Sequence, residues 1–97
     1  MPGSENSRKT FFYVYILQSV KFKQEIYIGI TVDLRKRFAQ HNKGLNFSTK
    51  RYMPWELIYY EACLERDDAE RREKYLKTSQ GRRLLKRRLK EYLYKKK

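Results

Sequence analysis

The sequence predicts an α+β domain, a three-stranded antiparallel sheet covered by helices in the order β-β-α-β-α-α. Three observations carry that expectation. Residues 11–17, FFYVYIL, and 25–30, EIYIGI, are rich in aromatic and β-branched residues and are joined through the polar stretch SVKFKQE, the pattern of an antiparallel hairpin. WELIYYEA, residues 55–62, repeats that character after Pro54, which also sets Met53 extended. Between and beyond these strands, apolar residues recur at three- and four-residue spacing instead of alternating.

Each element can be justified in turn. FFYVYIL lacks a polar face, so it predicts a strand buried on both sides in the middle of the sheet. The hairpin makes Tyr15 and Tyr27 near neighbours across the ladder. Thr31 and Asp33 are N-cap candidates for a helix whose inward pair is Leu34 and Phe38, running to about Lys43 before Gly44 stops it. NFSTKRYMP reads as a loop. Arg66 to Thr78 has helical spacing at Ala69, Tyr75 and Leu76, with Asp67 and Asp68 in the first turn where the helix dipole favours them. Gly81 is expected to separate this helix from a last one, whose apolar stripe is Leu85, Leu89, Tyr92 and Leu93. No internal repeat is present.

At 97 residues the chain has room for one domain, expected over 10–97 behind a disordered leader at 1–9. Lys and Arg number 24 against 11 Asp and Glu, a net charge of +13, while 40% hydrophobic content excludes a plain disordered basic tail. Such a domain is drawn to polyanions with a salt-dependent affinity. Cys63 is the only cysteine, which excludes an intrachain disulfide and a multi-cysteine metal site and fits a cytoplasmic setting. MPGSENSRKT has no apolar signal core, and FFYVYIL is far too short to cross a bilayer, so no membrane partner is expected.

Some residues exceed what packing requires. Arg37 and His41 are four apart and share one helix face beside Leu34 and Phe38, although a solvated basic face would show the same pair. Glu73 stands four after Ala69 and three before Leu76, which puts a carboxylate on an inward stripe. It must find a cation there, either a basic side chain or a metal ion. Most of the nine tyrosines are expected to pack in the sheet, Tyr13, Tyr59 and Tyr60 among them. Tyr15 and Tyr27 differ, because the hairpin brings both toward the side where Arg37 and His41 begin.

These residues together resemble the GIY-YIG nuclease superfamily, which also supplies the N-terminal nuclease module of the excision-repair subunit UvrC. The first motif is the variant Tyr13-Val14-Tyr15 and the second is Tyr27-Ile28-Gly29; GITVDLRKRFAQHN, MPWELIYYE and AERREKYLK extend the likeness over residues 12–80. The resemblance implies the same β-β-α-β-α-α fold and a divalent-metal-dependent endonuclease hydrolysing DNA phosphodiester bonds, with a setting in repair or recombination. It makes Tyr15 and Tyr27 the motif tyrosines, Arg37 the helix arginine, His41 a position held by His or Tyr, and Glu73 the metal-binding glutamate. The sequence departs from the family in having Tyr13 where a Gly is usual and Ile30 where some relatives carry Lys. It also lacks a late Asn, for which Thr78, Ser79 and Gln80 are the nearby substitutes.

Phosphodiester hydrolysis needs an activated water, neutralised phosphoryl oxygens and help for the leaving oxygen. One carboxylate implies a single Mg²⁺ or Mn²⁺ that keeps much of its hydration shell. Either Tyr15 or Tyr27 could take the water proton if cations favour its phenolate, Arg37 suits clamping the phosphate, and His41 could share proton transfer or bond the phosphate. Arg35, Lys36, Arg82, Arg83, Lys86, Arg87, Arg88 and Lys90 are expected to grip the backbone without reading bases. The partner is then nucleic acid, most simply DNA, bound by a monomer with a further protein able to direct specificity. The competing expectation is a non-catalytic basic module that binds DNA or RNA and retains the fold.

Overall fold

The computed structural model describes residues 9–95. The expected leader lies, up to residue 8, outside the described residues, as do the last two lysines of the tail. β1 (Phe12–Ser19) is flanked by β2 (Ile26–Thr31) and β3 (Trp55–Cys63), both antiparallel to it, giving the order β2-β1-β3. α1 (Leu34–Asn42) lies between β2 and β3 in sequence, followed by a 3₁₀ turn at Lys50–Tyr52. α2 (Arg66–Leu76), α3 (Ser79–Arg88) and α4 (Lys90–Tyr94) complete the chain. The expected α+β order is observed, with the last helix divided at Leu89.

The central position of β1 explains its unbroken burial from Val14 to Ser19. Because strand side chains alternate, its two faces build two separate cores. Val14 and Ile16 join Ile28, Ala69, Leu76 and Leu85 beneath α2 and α3. Tyr15 and Leu17 point the other way and join Trp55, with Tyr27, Leu34, Phe38, Tyr52, Met53 and Leu57 packed around them. α1 therefore covers the face opposite α2 and α3. A register shift between Ile16 and Leu17 against β3 pairs Ile16 with Tyr59 and Leu17 with Leu57, so both Ile58 and Tyr59 pack toward the helix-side core.

Two expectations are corrected. Gly81 does not separate helices: it is buried within the first turn of α3, its N–H donating to the cap oxygen of Thr78 at 3.1 Å. A Cβ there would stand 2.1 Å from the Tyr75 carbonyl oxygen and 2.5 Å from Leu76 Cα, so the glycine lets α3 start directly against the end of α2. Tyr60 is exposed, not a core residue; its ring meets Tyr13 edge-on at 5.8 Å on the sheet's outer end. Its neighbour Glu61 is forked to Arg72 by two bonds of 2.9 Å and also accepts from the Tyr59 hydroxyl, tying β3 to α2. These contacts hold the Glu61 carboxyl below its ordinary range, chiefly through the Arg72 bond.

Candidate active site

The ladder register sets the two motif tyrosines. Tyr15 lies opposite Gly29 and Leu17 opposite Tyr27, so both tyrosines face the α1 side on adjoining strands, ring centroids 6.1 Å apart. Gly29 is the residue that permits this. The Tyr15 ring lies across it, and a Cβ at position 29 would fall 2.6 Å from the Tyr15 hydroxyl and 2.9 Å from Tyr27 Cε2.

α1 supplies the next two groups. Asp33 caps it by accepting the Lys36 N–H at 3.1 Å, and Thr31 in turn accepts the Asp33 N–H, which fixes the start of the helix just beyond β2. Arg37 is then half-buried one turn in, and His41 is fully buried a turn later. His41 Nε2 is 2.9 Å from the Tyr15 hydroxyl, and its Nδ1 is 2.8 Å from the Thr49 hydroxyl. The His41 ring also lies 4.9 Å from the Tyr27 ring. A neutral imidazole has one N–H and one lone pair, so it closes this buried chain by donating to one hydroxyl and accepting from the other.

Burial and charge separate the roles of these groups. Burial first, and then the neighbouring Tyr27 charge, push the Tyr15 hydroxyl up to about 12 against the opposing influence of Arg37. His41 is held below its ordinary value, first by burial and then by the Arg37 guanidinium. Near neutral pH both are uncharged. Tyr27 is only half-buried, and Arg37 reaches a surface cleft of about 220 Å³ at the end of β2, where Arg66 of α2 forms another wall. Arg37 thus stands between two places, touching the neutral buried chain through Tyr15 and His41 and lining the cationic cleft with Arg66.

Four of the five expected site residues are brought together: Tyr15, Tyr27, Arg37 and His41. Glu73 rides on α2, the layer across the sheet; its side chain is 19% exposed and pairs with Lys77 at 3.1 Å. Among the described residues it makes no direct hydrogen bond to the other four. The expectation that His41 bonds a phosphate does not fit the geometry, since the ring has no exposed surface and both nitrogens already have partners. Arg35 and Lys36 are exposed on α1, and Arg82, Arg83, Lys86, Arg87 and Arg88 are exposed on α3, with Lys90 on α4. Leu85 anchors α3 beneath the Val14–Ile16 face, so the basic helix and the tyrosine pocket belong to opposite layers. Burial and then the Glu61 bond push the Tyr59 hydroxyl up, with Arg88 on α3 among the cations that oppose the shift.

Sequence reasoning missed Thr49, Asn42 and Arg66 as parts of the site. Asn42 accepts the Trp55 N–H at 2.6 Å and donates to its carbonyl at 2.9 Å, while the Trp55 indole donates to the Thr49 carbonyl. Among the residues that support the pocket, Gly29 did leave a signal, as a break inside a strand pattern and as the last residue of the Tyr27-Ile28-Gly29 motif.

A family model described as the GIY-YIG catalytic domain matches residues 11–86. The chain belongs to the GIY-YIG family. Over 50 residues this GIY-YIG chain is 44% identical to a UPF0213 protein of Streptococcus pyogenes serotype M3 (strain MGAS315), which covers 50% of the chain and 52% of that relative. It is 42% identical over 55 residues to the structure-specific endonuclease subunit SLX1 of Vanderwaltozyma polyspora, covering 50% of the chain and 17% of that protein. The aligned GIY-YIG segment spans about half the length of the streptococcal relatives it matches.

Proposed function

We propose that this protein is a divalent-metal-dependent endonuclease that hydrolyses DNA phosphodiester bonds. The observation that supports it best is the pocket in which the buried Tyr15–His41–Thr49 chain backs a half-exposed Tyr27 and Arg37. A packing unit has no use for a polar chain sealed in the core beside an accessible tyrosine and arginine. Tyr27 is the group placed to take the water proton, because Tyr15 is held neutral and has no surface on which to meet substrate. His41 acts through Tyr15 as a positioning residue. Arg37 clamps the phosphate as charge develops, with Arg66 across the cleft adding a second cation.

The donor set fits the implied metal. Among the described residues no three His, Cys, Asp or Glu side chains converge, so the lone Glu73 carboxylate suits a hard ion that keeps most of its waters, Mg²⁺ or Mn²⁺, and not a zinc cage. Glu73 would hold that ion from α2, the helix whose Arg66 shares the cleft with Arg37, and the ion when bound would supply Lewis-acid neutralisation of the phosphate. No described helix is long and apolar enough to cross a membrane. That SLX1 is named as a subunit supports the idea that a protein partner directs this domain to its substrate.

The test is incubation with labelled duplex, branched and single-stranded DNA in Mg²⁺ or Mn²⁺. Cleavage of at least one substrate, lost in Glu73→Ala, is the expected result; no cleavage by folded, DNA-bound protein refutes the reading. The Glu73–Lys77 pair favours one other reading, a binding module in which the glutamate is only structural. In that case the wild type is inert, and Glu73→Ala changes binding alone.

A further inference from the structure

The loop between α1 and β3 carries the two most exposed large apolar side chains of the described residues, Phe47 at 85% and Leu45 at 70%. An exposed phenylalanine on a wandering loop would mean little. This loop, however, is fastened throughout. Gly44 turns the chain with φ 76°, and the Leu45 N–H donates to the Gln40 carbonyl. The Asn46 carbonyl accepts from both Thr49 and Lys50, and its side chain accepts twice from Ser48. Thr49 is buried against His41 at 2.8 Å. Phe47 and Leu45 are the large apolar side chains this fixed backbone turns out to solvent.

Their neighbours are cations. Lys50 places its ammonium 5.5 Å from the Phe47 ring centroid, and Lys43 and Arg51 are exposed on the same segment. No carboxylate occurs between Lys43 and Trp55. A protein partner's apolar face would not need this uniform positive charge; an aromatic set among cations suits an anionic bilayer surface or a nucleobase with its backbone, and the second cationic site, the cleft of Arg37 and Arg66, favours the nucleic acid. A fully paired duplex admits such a ring only by unstacking a base step, whereas an unpaired nucleotide offers its face without that cost.

We propose that Phe47, supported by Leu45 and flanked by Lys43, Lys50 and Arg51, is a base-stacking wedge that engages an unpaired nucleotide where a duplex is interrupted. It rests on the reading of this domain as a DNA-cleaving enzyme, and it defines the substrate class as duplex DNA adjoining unpaired bases. Because Thr49 joins the loop to His41, the wedge sets the distance between the interruption and the phosphate offered to Tyr27 and Arg37.

The test is equilibrium binding of the full chain in EDTA, where no cutting intervenes. The probes are a fully paired duplex and a duplex of the same sequence carrying a single-stranded branch, with 2-aminopurine as the first unpaired base. Phe47→Ala should weaken binding to the branched probe about tenfold and abolish the quenching of 2-aminopurine, with less than a twofold change on the paired duplex. Phe47→Trp should retain both properties. Thermal melts of Phe47→Ala should match the wild type, since the ring is exposed. Equal losses on both probes, or no loss on either, overturn the wedge, and the second result assigns the loop to a protein partner or to no partner. The two readings separate cleanly. Branch-selective loss without Mg²⁺-dependent cleavage sinks the nuclease alone, and cleavage with no selective loss sinks the wedge alone.

Discussion

Gly29→Ala is the sharpest probe of the site, because it adds one methyl group where the two tyrosine rings leave no room for it. The new Cβ would meet the Tyr15 hydroxyl at 2.6 Å, its Cζ at 2.7 Å and Tyr27 Cε2 at 2.9 Å, all well inside van der Waals contact. Tyr15 has no solvent to move into, and its hydroxyl is fixed to His41 at 2.9 Å. Overpacking of this kind costs about 1–3 kcal/mol, and losing the buried tyrosine–histidine bond adds ~1–3 kcal/mol for the polar groups left unpaired. Taking the low end of both gives roughly 2 kcal/mol, which in a domain of this size lowers Tm by about 8–16 °C. The assay is a circular-dichroism melt paired with single-turnover cleavage. Tyr15→Phe in the same chain removes the nearest atom of the clash, so the double variant should regain part of the stability without regaining full activity. A Gly29→Ala protein that melts within ~3 °C of wild type and cuts at the same rate would refute the account of why glycine stands there.

Other consequences can be checked in the same preparation. Tyr27→Phe should lower the single-turnover rate by about 10²-fold or more with little change in Tm, and Tyr15→Phe should lower it less; the reverse order would make Tyr15 the proton acceptor. Acid should destabilise the fold through His41. Its folded pKa lies below the ordinary 6.5, so in that interval the unfolded chain binds a proton that the folded chain refuses. Stability is therefore fully present above about pH 6.5 and falls as pH drops toward the lowered value; His41→Gln should flatten melts taken between about pH 7.5 and 5.5. Arg83→Gln with Arg87→Gln should weaken binding to unrelated duplexes alike and flatten the salt slope by roughly 0.9 per lost phosphate contact, while an unchanged slope would show α3 to be merely solvated.

The strand order and the faces of β1 were legible because a run such as FFYVYIL has no polar side to show water. Tyr15, Tyr27, Arg37 and His41 could be grouped because the hairpin and the four-residue helix spacing are local rules. The burial of His41 was not legible. Its two partners are 26 and 8 residues away, and periodicity reports which way a side chain points without saying what fills the space in front of it. Gly81 misled for a related reason: a glycine reads as a break, whereas here it answers a close approach by the preceding helix, invisible until the two are packed. Tyr60 was placed inside by its strand neighbours, yet it pairs with Tyr15 on the face of β3 turned away from α2, which α1 leaves exposed there.

His41 and Asn42 are consecutive residues, and each is bonded into the segment that leads to β3, one to Thr49 and the other to the Trp55 backbone. Unwinding the last turn of α1 therefore releases the Tyr15 hydroxyl, the wedge loop and the beginning of an edge strand in one event. Amide hydrogen exchange should show these parts opening together, as a single unit less protected than β1. If the protein cuts DNA as proposed, cleavage should be lost at a lower temperature than the sheet itself, because the pocket and the loop hang on one turn of α1 whereas β1 is hydrogen-bonded on both sides.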